Sequence, residues 1–291
     1  MQSEIADAYD RLSYDFEHTV DTNSPYNADY ERPAMLELLP GSLFGQAVLD
    51  AGCGAGWYAD QLAKRGGRVT GVDISRKMVA AAKRRVGKSA RILRHDLAAP
   101  LPFDHNSFDL IVSALVLDHI HDWGTTLHEF SRVLKPMGWL LLSVTHPFRI
   151  MSKSGPPKNY FEERAYTDIW NKPNSGEVSL SFYHRPLQVM IGEVTRYFTI
   201  DRIVEPQPLD SFKGKDLMRY ERLNTTPHFL IIRARSAMSE QNLGVHDLGR
   251  LSRADIQMDI QPPSAAEDRV PKSSDVPGHK AELLKDNDHE T

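Results

Sequence analysis

Residues 48–57, VLDAGCGAGW, carry the pattern from which the fold can be inferred. Its first letters, VLD, read as the end of a buried strand, and three glycines alternating with small residues then lead into a helical pattern at Trp57. Glycines let the backbone adopt unusual dihedrals and let a ligand approach the main chain closely. The free amides at a helix start favour an anionic group. The stretch therefore predicts a strand, a tight ligand-binding turn and a helix.

The spacing of the glycines bears on which ligand the turn binds. The dinucleotide fingerprint G-x-G-x-x-G needs a glycine where this chain has Trp57, and Gly56 comes one place early. Asp50 would repel a pyrophosphate but suits an ammonium or sulfonium group. S-adenosylmethionine carries both of these groups, together with a carboxylate for the helix amides. The pattern therefore favours S-adenosylmethionine, and an NAD(P)-dependent oxidoreductase is the less favoured alternative.

Composition excludes several classes of protein. The chain has 291 residues, 41% of them hydrophobic, and no apolar run near the roughly 20 residues of a membrane helix. The start of the chain is acidic and lacks the apolar core of a secretory signal. Cys53 is the single cysteine, which predicts a reducing, cytoplasmic location with no disulfide and no zinc site. The net charge of −4 shows no nucleic-acid footprint.

Periodicity along the chain predicts alternating strands and helices. The expected strands are 47–50, 68–73, 90–95, 109–115, the segment that ends at His146, 199–204 and 228–235. The expected helices are 2–16, 32–39, 57–65, 75–86, 123–134 and 186–197. The apolar fourth strand is typical of a parallel sheet covered on both faces. We therefore expect a doubly wound α/β fold.

Acidic residues end the second and third strands. Asp73 can accept both ribose hydroxyls of an adenosine, as the acid of a dinucleotide fold does. Ile74 and Met78 follow it and are placed to sandwich an adenine. Asp96 can accept from the adenine amino group while Leu97 caps the ring.

These motifs resemble those of the class I S-adenosylmethionine-dependent methyltransferases, in the small-molecule branch with a type 11 domain. The resemblance rests on D-x-G-x-G-x-G from Asp50, on the acids Asp73 and Asp96, and on KPMGWLLLSV before His146. It implies a Rossmann-like seven-stranded sheet, mostly parallel with the last strand antiparallel, and methyl transfer to a small-molecule acceptor whose atom (O, N or C) stays open. It also implies a cofactor site formed by Asp50, Gly52, Gly54, Asp73, Ile74, Met78, Asp96, Leu97 and Ser113.

Three histidines are candidates for catalysis because imidazole titrates near neutral pH. His146 ends the fifth strand and is predicted to lie near the cleft, either as a general base or as a brace for the loop. His119 and His121 follow the fourth strand, at the edge where open α/β sheets bind ligands. Their spacing beside Asp118 does not suit a metal site, so no metal is expected.

The resemblance also predicts the division of the chain. Residues 1–46 form an N-terminal helical lid segment, and residues 47–235 form the methyltransferase domain. Within it, residues 148–185 are an aromatic-rich insertion in which helical and strand periodicity disappears, apart from a strand-like stretch at 177–183. Residues 236–291, with 6 basic and 11 acidic residues, form a disordered acidic tail. The remaining alternative is a catalytically silent methyltransferase-like interaction module, which the three retained acids disfavour.

Overall fold

The computed structural model describes residues 2–20, 24–149 and 159–236. The predicted tail, apart from Ser236 at its start, lies outside the described residues. Within them, seven strands form one sheet in the order β3-β2-β1-β4-β5-β9-β8. Strands β1 to β5 pair in parallel, whereas β9 runs antiparallel to both β5 and β8. The predicted seven-stranded Rossmann-like sheet with an antiparallel last strand is confirmed.

Apart from β6, the strands fall close to the ranges that the sequence predicts. They are β1 Ala47–Ala51, β2 Arg68–Asp73, β3 Ala90–Arg94, β4 Phe108–Ala114, β5 Leu134–Thr145, β6 Arg164–Lys172, β7 Gly176–His184, β8 Phe198–Val204 and β9 Phe229–Ser236. Because successive side chains of a strand point to opposite faces, the two faces of the sheet carry separate cores. Leu49 and Ile111 pack on one face, and Val48 and Val112 pack on the other.

Helices cover both faces of this sheet. They are α1 Gln2–His18, α2 Arg32–Glu37, α3 Trp57–Lys64, α4 Arg76–Val86, α5 Trp123–Val133, α6 Leu187–Thr195, α7 Asp210–Lys213 and α8 Leu217–Thr225. Side chains of α5 and α6, such as Phe130 and Val194, belong to one core, and those of α3 and α4, such as Leu62 and Val79, belong to the other. The predicted N-cap Ser75 accepts from the Met78 amide at 3.0 Å, which fixes where α4 begins at the end of β2.

The N-terminal helix α1 lies across the carboxyl edge of the sheet and is held there by polar contacts. The Asp10 carboxylate accepts from the Ser75 hydroxyl at 2.5 Å and from the Lys77 amide at 2.9 Å. About two turns further on, Glu17 accepts two bonds from the Arg84 guanidinium. These bonds anchor α1 along α4, directly beside the end of β2.

The insertion differs from the sequence prediction. Strand β7 coincides with the strand-like stretch at 177–183, but it pairs as an antiparallel hairpin with β6, in residues where the sequence shows no periodicity. The pattern missed β6 because its inward-facing positions mix aromatic and charged residues, so no apolar alternation is visible: Arg164, Tyr166, Asp168, Trp170 and Lys172. The part of the insertion at residues 150–158 lies outside the described residues.

The hairpin and α1 are tied to each other. The Asp15 carboxylate accepts from the Asn174 side-chain amide at 2.8 Å and from the Ser175 amide at 2.9 Å, both in the hairpin turn. Phe182 of β7 packs in one cluster with Leu12 of α1. We call α1 and the β6–β7 hairpin together the roof, because they cover the same edge of the sheet.

Gly56 supports a prediction about stability. It is the N-cap of α3 with φ +83°, and a Cβ there would lie 2.9 Å from the Ala82 Cα on α4. Gly56→Ala therefore adds a steric clash to backbone strain, and each costs about 1–3 kcal/mol. In urea unfolding, Gly56→Ala should have a clearly lower free energy of unfolding than Gly87→Ala. Gly87 also has a positive φ, of +55°, but a Cβ there would meet open space. Equal losses for the two variants would contradict the close packing of α3 on α4.

Candidate active site

A cavity of about 680 Å³ lies between the carboxyl edge of the sheet and the roof. Its walls come from the glycine turn, the ends of β2, β3 and β4, helix α1, the hairpin and helix α8. Ligand pockets typically measure about 300–1,000 Å³, so this volume is ample for a cofactor and an acceptor together. The site lies between β1 and β4, where the strand order reverses and open α/β sheets bind ligands.

Asp73 holds the two loops at this edge together. One carboxylate oxygen accepts from the Gly54 amide at 2.9 Å, and the other accepts from the Ser75 amide at 2.9 Å. Burial raises the pKa of Asp73 to about 6, against the lowering effect of these two amides. Each oxygen keeps a second lone pair, and the residue lines the cavity. Asp73 is thus equipped to accept two ligand hydroxyls, as a ribose presents them.

The glycine turn needs its glycines for two different reasons. Gly52 and Gly54 have φ of +84° and +51°, in the left-handed region that side chains rarely adopt. A Cβ on Gly52 would collide with the Val116 side chain, whereas a Cβ on Gly54 would meet nothing within 4 Å. Gly54 therefore leaves open space beside the main chain, and its turn forms a cradle that fits the predicted cofactor.

The predicted adenine site lies on the neighbouring strand ends. Ile74, Asp96 and Leu97 all line the cavity. One oxygen of Asp96 accepts from the Ala98 amide at 2.9 Å, which fixes the carboxylate at the start of its loop. These residues and Asp73 are thus brought together at one end of the cavity, which we call the cofactor end.

Three predicted cofactor residues lie beneath the cavity wall. Asp50, Met78 and Ser113 are almost completely buried and are absent from the lining. Met78 packs against Leu12 and Ala55 in the core under α1, so it supports the adenine end from below. Burial raises the pKa of Asp50 to about 7, and its Oδ2 contacts no hydrogen-bond donor among the described residues.

His119 is the predicted catalytic histidine that lies in the cavity wall. Its Nδ1 lies 2.8 Å from the Ser181 carbonyl oxygen, so the hydrogen-bond network assigns the proton to Nδ1. Its Nε2 accepts from the Tyr9 hydroxyl at 2.8 Å. Burial lowers the pKa of His119 to about 4, which keeps the ring neutral. Tyr9 of α1 also lines the cavity, so this pair joins the roof to the floor.

The other two histidines lie elsewhere. His121 is exposed outside the lining, and its carbonyl accepts from Arg185 at 2.5 Å. His146 is fully buried, and its Nε2 lies 2.8 Å from the Glu205 carboxylate while Nδ1 accepts from the Phe148 amide at 3.2 Å. His146 was predicted to lie near the cleft, either as a general base or as a brace for the loop. It does not line the cavity, and its contacts with Phe148 and Glu205 fit the bracing role, because they hold the ring inside the protein.

Sequence patterns missed several residues of the cavity. Arg32 lies with its guanidinium 4.1 Å from the centre of the Trp57 ring, and Glu31 accepts from the Tyr58 and Ser143 hydroxyls. On the far side from Asp73, the lining includes Tyr26, Arg219, Arg222, His228 and Phe229. We call this side the acceptor end. The charged run around Arg222 carries no motif, so its place in the site follows only from the fold.

Among residues 2–20, 24–149 and 159–236, no group of three or more histidine, cysteine or acidic side chains is arranged to hold a metal ion. In the same ranges, none of the helices combines the length and the apolar character that crossing a membrane requires.

Comparisons with known proteins show that the chain is similar to methyltransferases. Residues 49–142 match the sequence model of a family described as a methyltransferase domain. The chain is 28% identical over 228 residues to a protein from Haemophilus influenzae, covering 72% of this chain and 88% of that protein. It is 33% identical over 153 residues to the demethylmenaquinone methyltransferase of Tropheryma whipplei, covering 52% of this chain and 61% of that enzyme. A solved S-adenosylmethionine-dependent methyltransferase from Mesorhizobium loti matches with a TM-score of 0.59 and 26% identity, covering 70% of this chain and 97% of that one.

The sheet order, the glycine cradle and the acids around it define a class I S-adenosylmethionine-dependent methyltransferase. Residues 49–142 belong to the methyltransferase domain family. The predicted enzyme class and cofactor are thereby confirmed, and the oxidoreductase and silent-module alternatives lose their support.

The role of Asp73 can be tested by cofactor affinity. Asp73→Ala removes two charge-assisted hydrogen bonds to a ribose, each of about 1.5–3 kcal/mol. Calorimetry should show at least tenfold weaker binding of S-adenosylhomocysteine. The control is Asp104→Ala, an exposed acid outside the cavity, which should bind normally. Unchanged affinity in a folded Asp73→Ala protein would contradict the assigned cofactor end.

Asp50 supports a prediction on pH and stability. Its folded-state pKa of about 7 lies above the usual 3.8, so the folded state favours the protonated acid. This destabilises the protein increasingly as the pH rises from about 4 to 7, and the cost is constant above that range. Asp50→Asn should therefore raise the thermal midpoint at pH 8, by about 2–4 °C for each kcal/mol gained, and the gain should shrink at pH 5. A gain that is independent of pH would show that the carboxylate charge is not its source.

Proposed function

We propose that this methyltransferase transfers the methyl group to a small-molecule acceptor bound at the acceptor end of the cavity. The observation that carries the proposal is the continuity of the cavity, which runs beneath one roof from Asp73 and Gly54 to Tyr26 and His228. The roof of α1 and the hairpin leaves room for a small molecule and excludes a folded nucleic acid. The similarity to a demethylmenaquinone methyltransferase supports the same class of acceptor.

The residues at the cofactor end would bind S-adenosylmethionine through complementary groups. Asp73 would accept the ribose hydroxyls, and Asp96 with Leu97 and Ile74 would contact the adenine. The buried guanidinium of Arg32 and the amides of the glycine turn suit the carboxylate of the methionine part. When bound, the cofactor supplies a methyl carbon already activated by its sulfonium charge. The enzyme's main task is then alignment of the two reactants, which can contribute several kcal/mol.

The Tyr9–His119 pair can take a proton from the acceptor. With neutral Nε2 accepting the Tyr9 proton, the phenolic oxygen keeps lone pairs that can accept a hydrogen bond from an acceptor hydroxyl. As the hydroxyl oxygen loses its proton to the Tyr9 oxygen, the Tyr9 proton can pass to Nε2. The Ser181 carbonyl, which accepts from Nδ1, stabilises the charge that forms on the ring. This pair supports an acceptor that must lose a proton, such as a hydroxyl.

Burial disfavours the charged forms of both Tyr9 and His119, so the proton taken from the acceptor is held only briefly. The same burial that lowers the pKa of His119 raises the pKa of Tyr9, and the carboxylates of Asp73 and Asp118 raise it further. Neither group therefore holds a lasting charge in the resting protein. We infer that the proton remains on the pair only while the methyl group is being transferred and is then released to solvent.

Removal of the Tyr9 hydroxyl tests this role. Tyr9→Phe should lower kcat by about 10²-fold or more, the usual worth of general-base assistance, while the affinity for S-adenosylhomocysteine stays within twofold. The matched control is Tyr14→Phe on the same helix, where the ring is 55% exposed and outside the cavity. A normal kcat for Tyr9→Phe, or an equal loss in both variants, would reject the proton-transfer role.

The function itself is tested in two stages. Calorimetry with S-adenosylhomocysteine establishes cofactor binding, and a screen of metabolites with methyl-labelled S-adenosylmethionine then detects transfer. Label should appear in low-molecular-weight products, and the formation of these products should require Asp73. Incorporation only into protein or nucleic acid would contradict the proposed small-molecule acceptor.

A further inference from the structure

We propose that the acceptor carries an anionic group, a carboxylate or a phosphate, which Arg219 and Arg222 bind at the acceptor end of the cavity. This inference rests on the proposed function, because it concerns the substrate of the same site. It follows from how positive and negative groups are distributed over the cavity wall.

The negative groups of the wall are largely committed. Asp73 and Asp96 lie at the cofactor end, where they hold loop amides. Glu31 accepts from the Tyr58 and Ser143 hydroxyls, and Asp118 accepts from the Thr145 amide at 2.9 Å. Both of these acids are buried, and burial raises the pKa of each. The acceptor end therefore presents little negative charge to a ligand.

The positive groups come from separate parts of the chain. The lining includes the cations Arg32, Arg85, Arg149, Lys172, Arg219 and Arg222. The Arg149 guanidinium lies 3.3 Å from the Asp168 carboxylate, and the Lys172 ammonium lies 5.5 Å from the centre of the Trp170 ring. Lys172 belongs to the hairpin and Arg149 pairs with a hairpin carboxylate, whereas Arg219 and Arg222 belong to α8.

Helix α8 presents its two arginines on one face. Positions three apart on a helix are neighbours, so Arg219 and Arg222 line the same part of the wall. Arg222 contacts no carboxylate among the described residues, and its Nη2 donates to the Tyr26 hydroxyl at 3.3 Å. Arg219 lies 3.2 Å from Asp216 and keeps a side chain that is 59% exposed. Guanidinium donors in this arrangement suit the planar carboxylate and the phosphate group.

Aromatic rings form the wall beside these arginines. The centre of the Tyr26 ring lies 4.8 Å from that of His228, and the latter lies 4.6 Å from the centre of the Phe229 ring. An acceptor bound here would place an apolar body on the rings and its anionic group on the guanidinium groups. Its negative charge would also be favourable beside the positive sulfonium of the cofactor. An anionic acceptor thus complements both ends of the cavity.

The experiment uses the full chain saturated with S-adenosylhomocysteine and probes that differ only in charge. Benzoate, phenyl phosphate and benzamide form one set, and hexanoate, hexyl phosphate and hexanamide form another. Calorimetry should show at least tenfold tighter binding for an anion than for the amide of the same set. The anion that binds with the higher affinity shows whether the group on the natural acceptor is a carboxylate or a phosphate. The preference should weaken at high salt, because the arginines are exposed to solvent.

Variants then locate the interaction. Combined Arg219→Gln and Arg222→Gln should reduce anion affinity to that of the amide, without changing the affinity for S-adenosylhomocysteine. The control Lys213→Gln removes an exposed cation on α7 that does not line the cavity, and it should keep the preference. Equal binding of anions and amides, no binding of any probe, or a preference that survives the double substitution would overturn the inference. Lack of S-adenosylhomocysteine binding would instead refute the proposed function itself.

Discussion

The carboxylate of Asp73 is the interaction on which the rest of the site depends. It accepts one amide from the glycine turn after β1 and another from the start of α4 after β2. Two neighbouring loops are thus fixed to each other at the point where the strand order reverses. Asp10 of α1 then accepts from the Ser75 hydroxyl beside that carboxylate, so the position of the roof depends on the same loops. Burying the acid costs free energy, which is visible in its raised pKa and which a ligand with paired hydroxyls would offset.

The roof joins two tasks that a methyltransferase must perform together. Asp15 ties α1 to the hairpin turn, and Tyr9 ties α1 to His119 in the floor. Covering the cavity removes water from the reacting groups, which strengthens the electrostatic interactions within it. The polar anchors at the margins of α1 and the packing of Leu12 beneath it hold this cover in one position. The same helix that covers the cavity therefore also presents the Tyr9 hydroxyl at its wall.

Stability and function oppose each other at the first two strand ends. Asp50 and Asp73 lie close enough for the negative charge of Asp73 to raise the pKa of Asp50. A buried acid beside a half-buried one destabilises the free protein at neutral pH. A bound cofactor would offset part of this cost, because paired hydroxyls can bond to Asp73 and a positive charge nearby favours both carboxylates.

Local sequence patterns were enough to predict the seven-stranded sheet with its antiparallel last strand, and they also predict the residues of the cofactor end. These features depend on local patterns: apolar strands, glycines in a turn, and acids at strand ends that a parallel sheet must bring to one edge. Three other features depend on tertiary packing: His119 and not His146 lines the cavity, β6 pairs with β7, and Arg222 contacts Tyr26 across almost the whole described chain. Such contacts join residues far apart in sequence through side chains of mixed polarity, so no periodicity records them. Their positions follow from how the helices and the hairpin pack over the finished sheet.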